Sequence, residues 1–137
     1  MNAPKTPDAD AILQHTAGAD TIEEYLLRQS ESIRALSGHA ESLVMIVCDR
    51  AATLYLRFEA LQVLYWVFPC GLDTFLTGIA ASSDEPAVAE AARALLFRNQ
   101  IRRTVSASHP ERLSTYLDRT RQEYAKWRFS HENRNAS

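Results

Sequence analysis

Residues 54–68 constrain the fold most, because this stretch, LYLRFEALQVLYWVF, is almost wholly apolar. At about 100° per residue, its apolar side chains cover most of the circumference of a helix. One narrower polar or amphipathic strip remains, formed by Tyr55, Glu59, Gln62 and Trp66. A helix of this kind has to be surrounded by other elements, so the segment predicts the centre of an all-helical domain.

The size and composition of the chain fit one compact bundle of five to six helices. Its 137 residues match one typical domain, and 46% hydrophobic with 23% charged residues is an ordinary globular balance. Only four glycines argue against a sheet protein with many turns. We expect a flexible segment over residues 1–18, a single helical domain over residues 19–131 and a frayed tail over residues 132–137.

Capping signals mark two helix starts. Thr21 and Glu24 fit a capping box that opens a helix, and Ser108 with Glu111 fits a second one. Residues 43–48 are uniformly apolar, and a short buried helix is favoured because no other segment could pair with them as a strand.

A helical hairpin is recognisable in residues 71–99, which read GLDTFLTGIAASSDEPAVAEAARALLFRN. This segment resembles one HEAT or armadillo repeat, with a first helix, a short acidic turn with proline, and a second alanine-rich helix. Residues 59–64 align with residues 90–95 at an offset of 31 as a second copy. The resemblance implies stacked hairpins, while an irregular bundle stays open as the alternative.

The location expected from the sequence is the cytoplasm. The N-terminus lacks a secretory apolar region, and the longest apolar run, residues 63–68, is far shorter than the ~20 residues of a membrane span. Cys48 and Cys70 lie in or beside apolar runs, and we expect Cys48 to be a buried thiol.

Motifs for catalysis, metals or cofactors are absent from the sequence. It contains no CxxC, HExxH, GxGxxG or GxxxxGK[ST] pattern, so we predict no enzyme activity, no metal and no cofactor. His39 and Glu41 fall on different faces of a helix, which argues against a metal site with Cys48.

Charge is divided unevenly along the chain. Residues 1–97 hold six Lys and Arg against thirteen Asp and Glu, whereas residues 98–137 hold nine against four. Arg98, Arg102 and Arg103 form a candidate basic patch for phosphate groups. The overall pI of about 6.1 is low for a nucleic-acid domain, so a nucleic-acid-associated regulator is an alternative function only.

A non-enzymatic protein–protein interaction module of regulatory, inhibitory, immunity or adaptor type is the leading hypothesis for function. Aromatic anchors and a split charge distribution suit such a role. The candidate contact residues are those of the strip and of the last helix: Tyr55, Glu59, Gln62, Trp66, Tyr116, Tyr124, Trp127 and Phe129. A bundle that binds a small apolar ligand is a further alternative, and we expect a homodimer with Tyr124, Trp127 and Phe129 in its seam.

Overall fold

The computed structural model describes residues 8–67 and 70–136, with side chains described as far as residue 128. Those residues form helices and no strands, which confirms the predicted all-helical class. The α-helices are α1 (Ala9–Gln14), α2 (Ile22–Leu36), α3 (Ala40–Cys48), α4 (Leu54–Val67), α5 (Leu72–Ser82), α6 (Pro86–Ser108) and α7 (Leu113–Ala136). Two 3-10 turns cover His15–Gly18 and Pro110–Arg112. The described residues thus hold seven α-helices where five to six were predicted.

The start of α2 follows from its local sequence. Thr21 Oγ1 accepts a hydrogen bond from the Glu24 amide at 3.1 Å, as the capping box predicts. The Glu24 carboxylate accepts from the Asp20 amide at 3.2 Å, one residue earlier than the usual return bond. Gly38 follows the helix with φ of 88°, a left-handed conformation that glycine adopts at low cost.

The expectation of a flexible segment over residues 1–18 is wrong for residues 9–18. Asp8 caps α1 by accepting from the Ala11 amide at 3.2 Å, and Leu13 and Thr16 are buried. Burial of these side chains against the bundle outweighs the weak helix signal of the segment. Residues 1–7 lie outside the described part of the chain.

Two further boundaries differ from the sequence prediction. Ser108 does not open a capping box: α6 continues through it, and the His109 amide bonds back to the Val105 carbonyl at 2.7 Å. The last helix spans Leu113–Ala136 and so includes residues 132–136 of the predicted tail, whose fraying stays a prediction. Residues 68, 69 and 137 lie outside the described residues.

Cys48 is exposed rather than buried, and so is Cys70. Cys48 closes α3 on the side that also exposes Met45, since Leu43, Ile46 and Val47 take the inner side. The uniform apolar run gave no period from which this choice could be read.

α4 is the central helix and contacts α1, α2, α3 and α6. α3 packs on α4, and α5 packs on α6, as helices joined by short turns do. α4 and α6 run in the same direction, because Arg57 contacts Asp84 just before α6, and Tyr65 further along α4 contacts the Arg98 carbonyl. α7 packs against both α2 and α6.

A buried arginine fixes the hairpins to each other. The Arg57 Nε donates to the Val47 carbonyl at 2.9 Å, and its Nη2 donates to Asp84 Oδ1 at 2.9 Å. One guanidinium therefore joins the end of α3, the first turn of α4 and the turn before α6. The hydrogen bond from Arg57 holds the pKa of the Asp84 carboxyl below its usual value of 3.8.

We expect Asp84→Asn to lower the free energy of unfolding at neutral pH. A depressed folded-state pKa means that the stabilisation is fully present above pH 3.8 and is lost as the pH falls through the folded-state pKa. Urea unfolding of both proteins across this range checks it, with the exposed Asp20→Asn as the control. If the difference in free energy of unfolding between wild type and Asp84→Asn is unchanged in acid, the role given to the Arg57–Asp84 contact is contradicted.

Candidate functional site

Glu59 lies fully inside the bundle, at 0% exposure. Its carboxylate accepts a hydrogen bond from Tyr25 Oη at 2.6 Å and one from Thr16 Oγ1 at 3.2 Å. The Arg128 Nε lies 3.3 Å from Glu59 Oε2 and supplies the opposite charge. Ionised carboxylates are tolerated in a protein interior only with such partners.

Arg128 enters the interior from α7 and is 5% exposed. Its guanidinium carbon lies 4.1 Å from the centre of the Tyr55 ring, a cation–π contact, and its Nη2 donates to the Tyr55 carbonyl at 3.2 Å. Part of the amphipathic strip of α4 is therefore covered by α7. The reading of Glu59 as a surface contact residue is wrong, because its charge is satisfied from within the chain.

Arg121 holds α7 against α2. Its Nε donates to the Gln29 Oε1 at 3.0 Å, and its Nη2 donates to the Leu26 carbonyl and to Ser30 Oγ. Burial lowers the pKa of Arg121, and burial followed by the nearby Glu59 raises the pKa of Tyr25. α7 is thus fixed by arginine hydrogen bonds on the face that it turns to α2 and α4.

The three arginines of the candidate basic patch have different surroundings. The Arg102 Nη1 donates to the Tyr65 carbonyl at 2.8 Å, and the guanidinium carbon lies 3.9 Å from the centre of that ring. Arg103 forms an ion pair with Asp73. Two of the three arginines are thus used inside the chain, and Arg98 lines a cavity.

An apolar groove lies between α4, α6 and the second half of α7, with a volume of about 470 Å³. α6 and α7 meet where Tyr116 Oη donates to the Arg98 carbonyl at 3.2 Å. The groove is lined by Leu54, Phe58 and Gln62 of α4, by Ala87, Glu90, Ala91, Ala94, Leu95 and Arg98 of α6, and by Tyr124 and Trp127 of α7. Small alanine side chains on the α6 wall leave space that larger residues would fill.

The groove exposes apolar surface to solvent. Trp127 is 45% exposed and Leu54 is 43% exposed, although both are large hydrophobic side chains. Gln62 is 9% exposed, and its side-chain amide makes no hydrogen bond within the described part of the chain. Exposed apolar surface around a buried polar group is typical of binding sites.

The remaining predicted contact residues are separated from one another. Trp66 lines a different cavity of about 550 Å³, between α2 and the start of α7, together with Ile33 and Leu117. Tyr116 is half-buried beside Arg98, and the Phe129 side chain lies outside the described residues. Of the eight predicted residues, Gln62, Tyr124 and Trp127 meet in one place, the groove.

Sequence analysis did not group the remaining groove residues into one site. These are the alanines of the α6 wall together with Leu54, Phe58 and Arg98. The one sequence signal is that Ala87, Ala91 and Ala94 recur at spacings of four and three residues. This spacing predicts a helix face lined by alanines, but it does not predict which element lies opposite.

Neither a metal-binding cluster nor a membrane-spanning helix is found among the residues that the structure describes. No group of three or more His, Cys, Asp or Glu side chains there could hold a metal ion. Every helix in the same residues is too short or too polar to cross a membrane.

Comparison with known proteins returns no relative. No protein-family model, no curated protein and no solved structure matches this chain.

We expect Glu59→Gln to lower the free energy of unfolding by about 3 kcal/mol, because the buried Arg128 guanidinium then loses the carboxylate that its Nε contacts. Glutamine preserves the size of the side chain and one of the two acceptor oxygens that Tyr25 and Thr16 use. Urea unfolding measures the change.

The double variant Glu59→Gln with Arg128→Met is the matched control, since it removes the buried positive charge together with the carboxylate. It should recover most of the lost stability. A double variant that is less stable than Glu59→Gln alone contradicts this account of the ion pair.

Proposed function

We propose that this chain is a non-enzymatic protein-binding module, a regulator or adaptor, and that the groove between α4, α6 and α7 receives a segment of the partner. The observation that supports the proposal is an open apolar groove whose rim exposes Trp127 and Leu54. Exposed aromatic and aliphatic side chains around a concave surface are typical anchors of protein interfaces.

The length of the groove fits a short helical segment. Ala87 and Arg98 mark its ends on α6, and eleven residues of helix span about 16 Å. Three helical turns of an amphipathic segment match that length, and helix-in-groove binding is a common mode of peptide recognition.

The non-enzymatic part of the proposal rests on how the charged groups are used. Glu59, Arg128 and Arg121 pair or hydrogen-bond inside the bundle and hold α7 in place. Glu90 and Arg98, which line the groove, lie on one helix about two turns apart, too far to act together on one bond.

Stacked hairpins of HEAT type are a finer proposal about the fold. The pairs α3–α4 and α5–α6 pack side by side, and α7 lies against α2 and α6. In such repeats a continuous helical face binds extended partners, which suits the position of the groove. A cytoplasmic location and a homodimer stay predictions, and a dimer seam at Trp127 would compete with the partner.

A small apolar ligand is the second candidate. The groove volume of about 470 Å³ lies within the range of small-molecule pockets. Its open rim and its length along α6 favour a protein segment.

Filling the groove tests the proposal. Ala94 is exposed and lines the groove, so Ala94→Trp should block it without disturbing the core. Ala35→Trp makes the same change on an exposed position of α2, away from the groove. In quantitative affinity capture from the native cell, a partner should bind wild type and Ala35→Trp equally and Ala94→Trp about tenfold less.

Equal capture of that partner by both tryptophan variants overturns the proposal. If small apolar compounds quench the fluorescence of Trp127 and Ala94→Trp loses no protein partner, the binding of a small apolar ligand replaces protein binding as the function.

A further inference from the structure

Two opposite charges lie along the groove without an ion pair. Glu90 and Arg98 both line it from α6, and within the described residues neither forms a salt bridge. Eight residues of helix separate them by about 12 Å. By contrast, Arg102 and Arg103 on the same helix are bound to Tyr65 and Asp73.

The side-chain amide of Gln62 lies at the floor of the groove. Gln62 is 9% exposed, and its amide bonds to no group in the part of the chain that the structure describes. Tyr65, one turn further along α4, donates to the Arg98 carbonyl at 3.4 Å, so Gln62 lies about one turn before Arg98. A ligand that covers the groove has to satisfy this amide, because an unpaired buried amide is costly.

The α6 wall suits a helix as the occupant. Ala87, Ala91 and Ala94 recur at spacings of four and three residues, so they form one row of small side chains. Such a row allows the ridge of another helix to approach closely. Trp127 on the opposite wall then packs against the apolar side of that helix.

We propose, on the basis of the function above, that the partner segment is an amphipathic helix with three polar features in fixed order along the groove. A basic residue faces Glu90, a hydrogen-bonding side chain faces Gln62, and an acidic residue faces Arg98. The basic and acidic residues are about two turns apart, and large apolar residues fill the positions between them.

A displayed library of helical peptides of about 20 residues tests this pattern. Apolar positions are fixed on one face, and the flanking and central positions are randomised. The library is selected against the full chain and against a charge-swapped chain with Glu90→Lys and Arg98→Glu. An exposed swap elsewhere, Arg34→Glu with Glu41→Lys, is the matched control.

The expected result is that selected charges reverse between wild type and the groove swap, and stay the same in the control swap. Peptides selected on one chain should bind the swapped chain about fivefold more weakly. Against Gln62→Leu, the central polar residue should give way to an apolar one.

The remaining outcomes separate the two proposals. Peptides that bind in the groove, lose binding on Ala94→Trp and keep the same charges on both chains overturn the polar pattern alone. Peptides that bind equally to Ala94→Trp, or no selected helical peptides at all, overturn the groove as a helix site as well.

Discussion

A carboxylate buried at the centre of the bundle sets the positions of three other elements. Glu59 lies on a helix whose buried residues are mostly apolar, and its carboxylate contacts Thr16, Tyr25 and Arg128. These partners come from the 3-10 turn His15–Gly18, from α2 and from α7, so the carboxylate joins parts that are far apart in the chain. Without Arg128, burial of that charge would cost several kcal/mol, so α7 has to lie across α4.

The groove is a consequence of how α7 is held. Arg121 and Arg128 draw one face of the helix toward α2 and α4, while Tyr116 holds its start beside α6. Beyond that contact, Tyr124 and Trp127 face a row of alanines on α6 across open space. The polar attachment of α7 thus leaves an aromatic wall exposed, and a helix attached by an apolar seam would have buried it.

Features set by neighbouring residues could be predicted from the sequence, and features set by distant ones could not. The start of α2 and the apolar character of α4 depend on local patterns, and both are found as predicted. The strip with Glu59 was recognised, but its burial depends on Arg128, 69 residues away, and periodicity does not say which charges will pair. Trp127 was predicted as an anchor, whereas the alanines opposite it carry no sequence signal for an unfilled face.

Amide hydrogen exchange along α7 tests most directly the claim that its buried arginines make it part of the folded body. If Arg121 and Arg128 hold the helix on α2 and α4, amides of residues 120–128 should be protected nearly as strongly as those of residues 60–65 in α4. Exchange of the α7 amides at the rate of a detached helix, with α4 still protected, would contradict the account. The wall that carries Trp127 would then not be a fixed part of any groove.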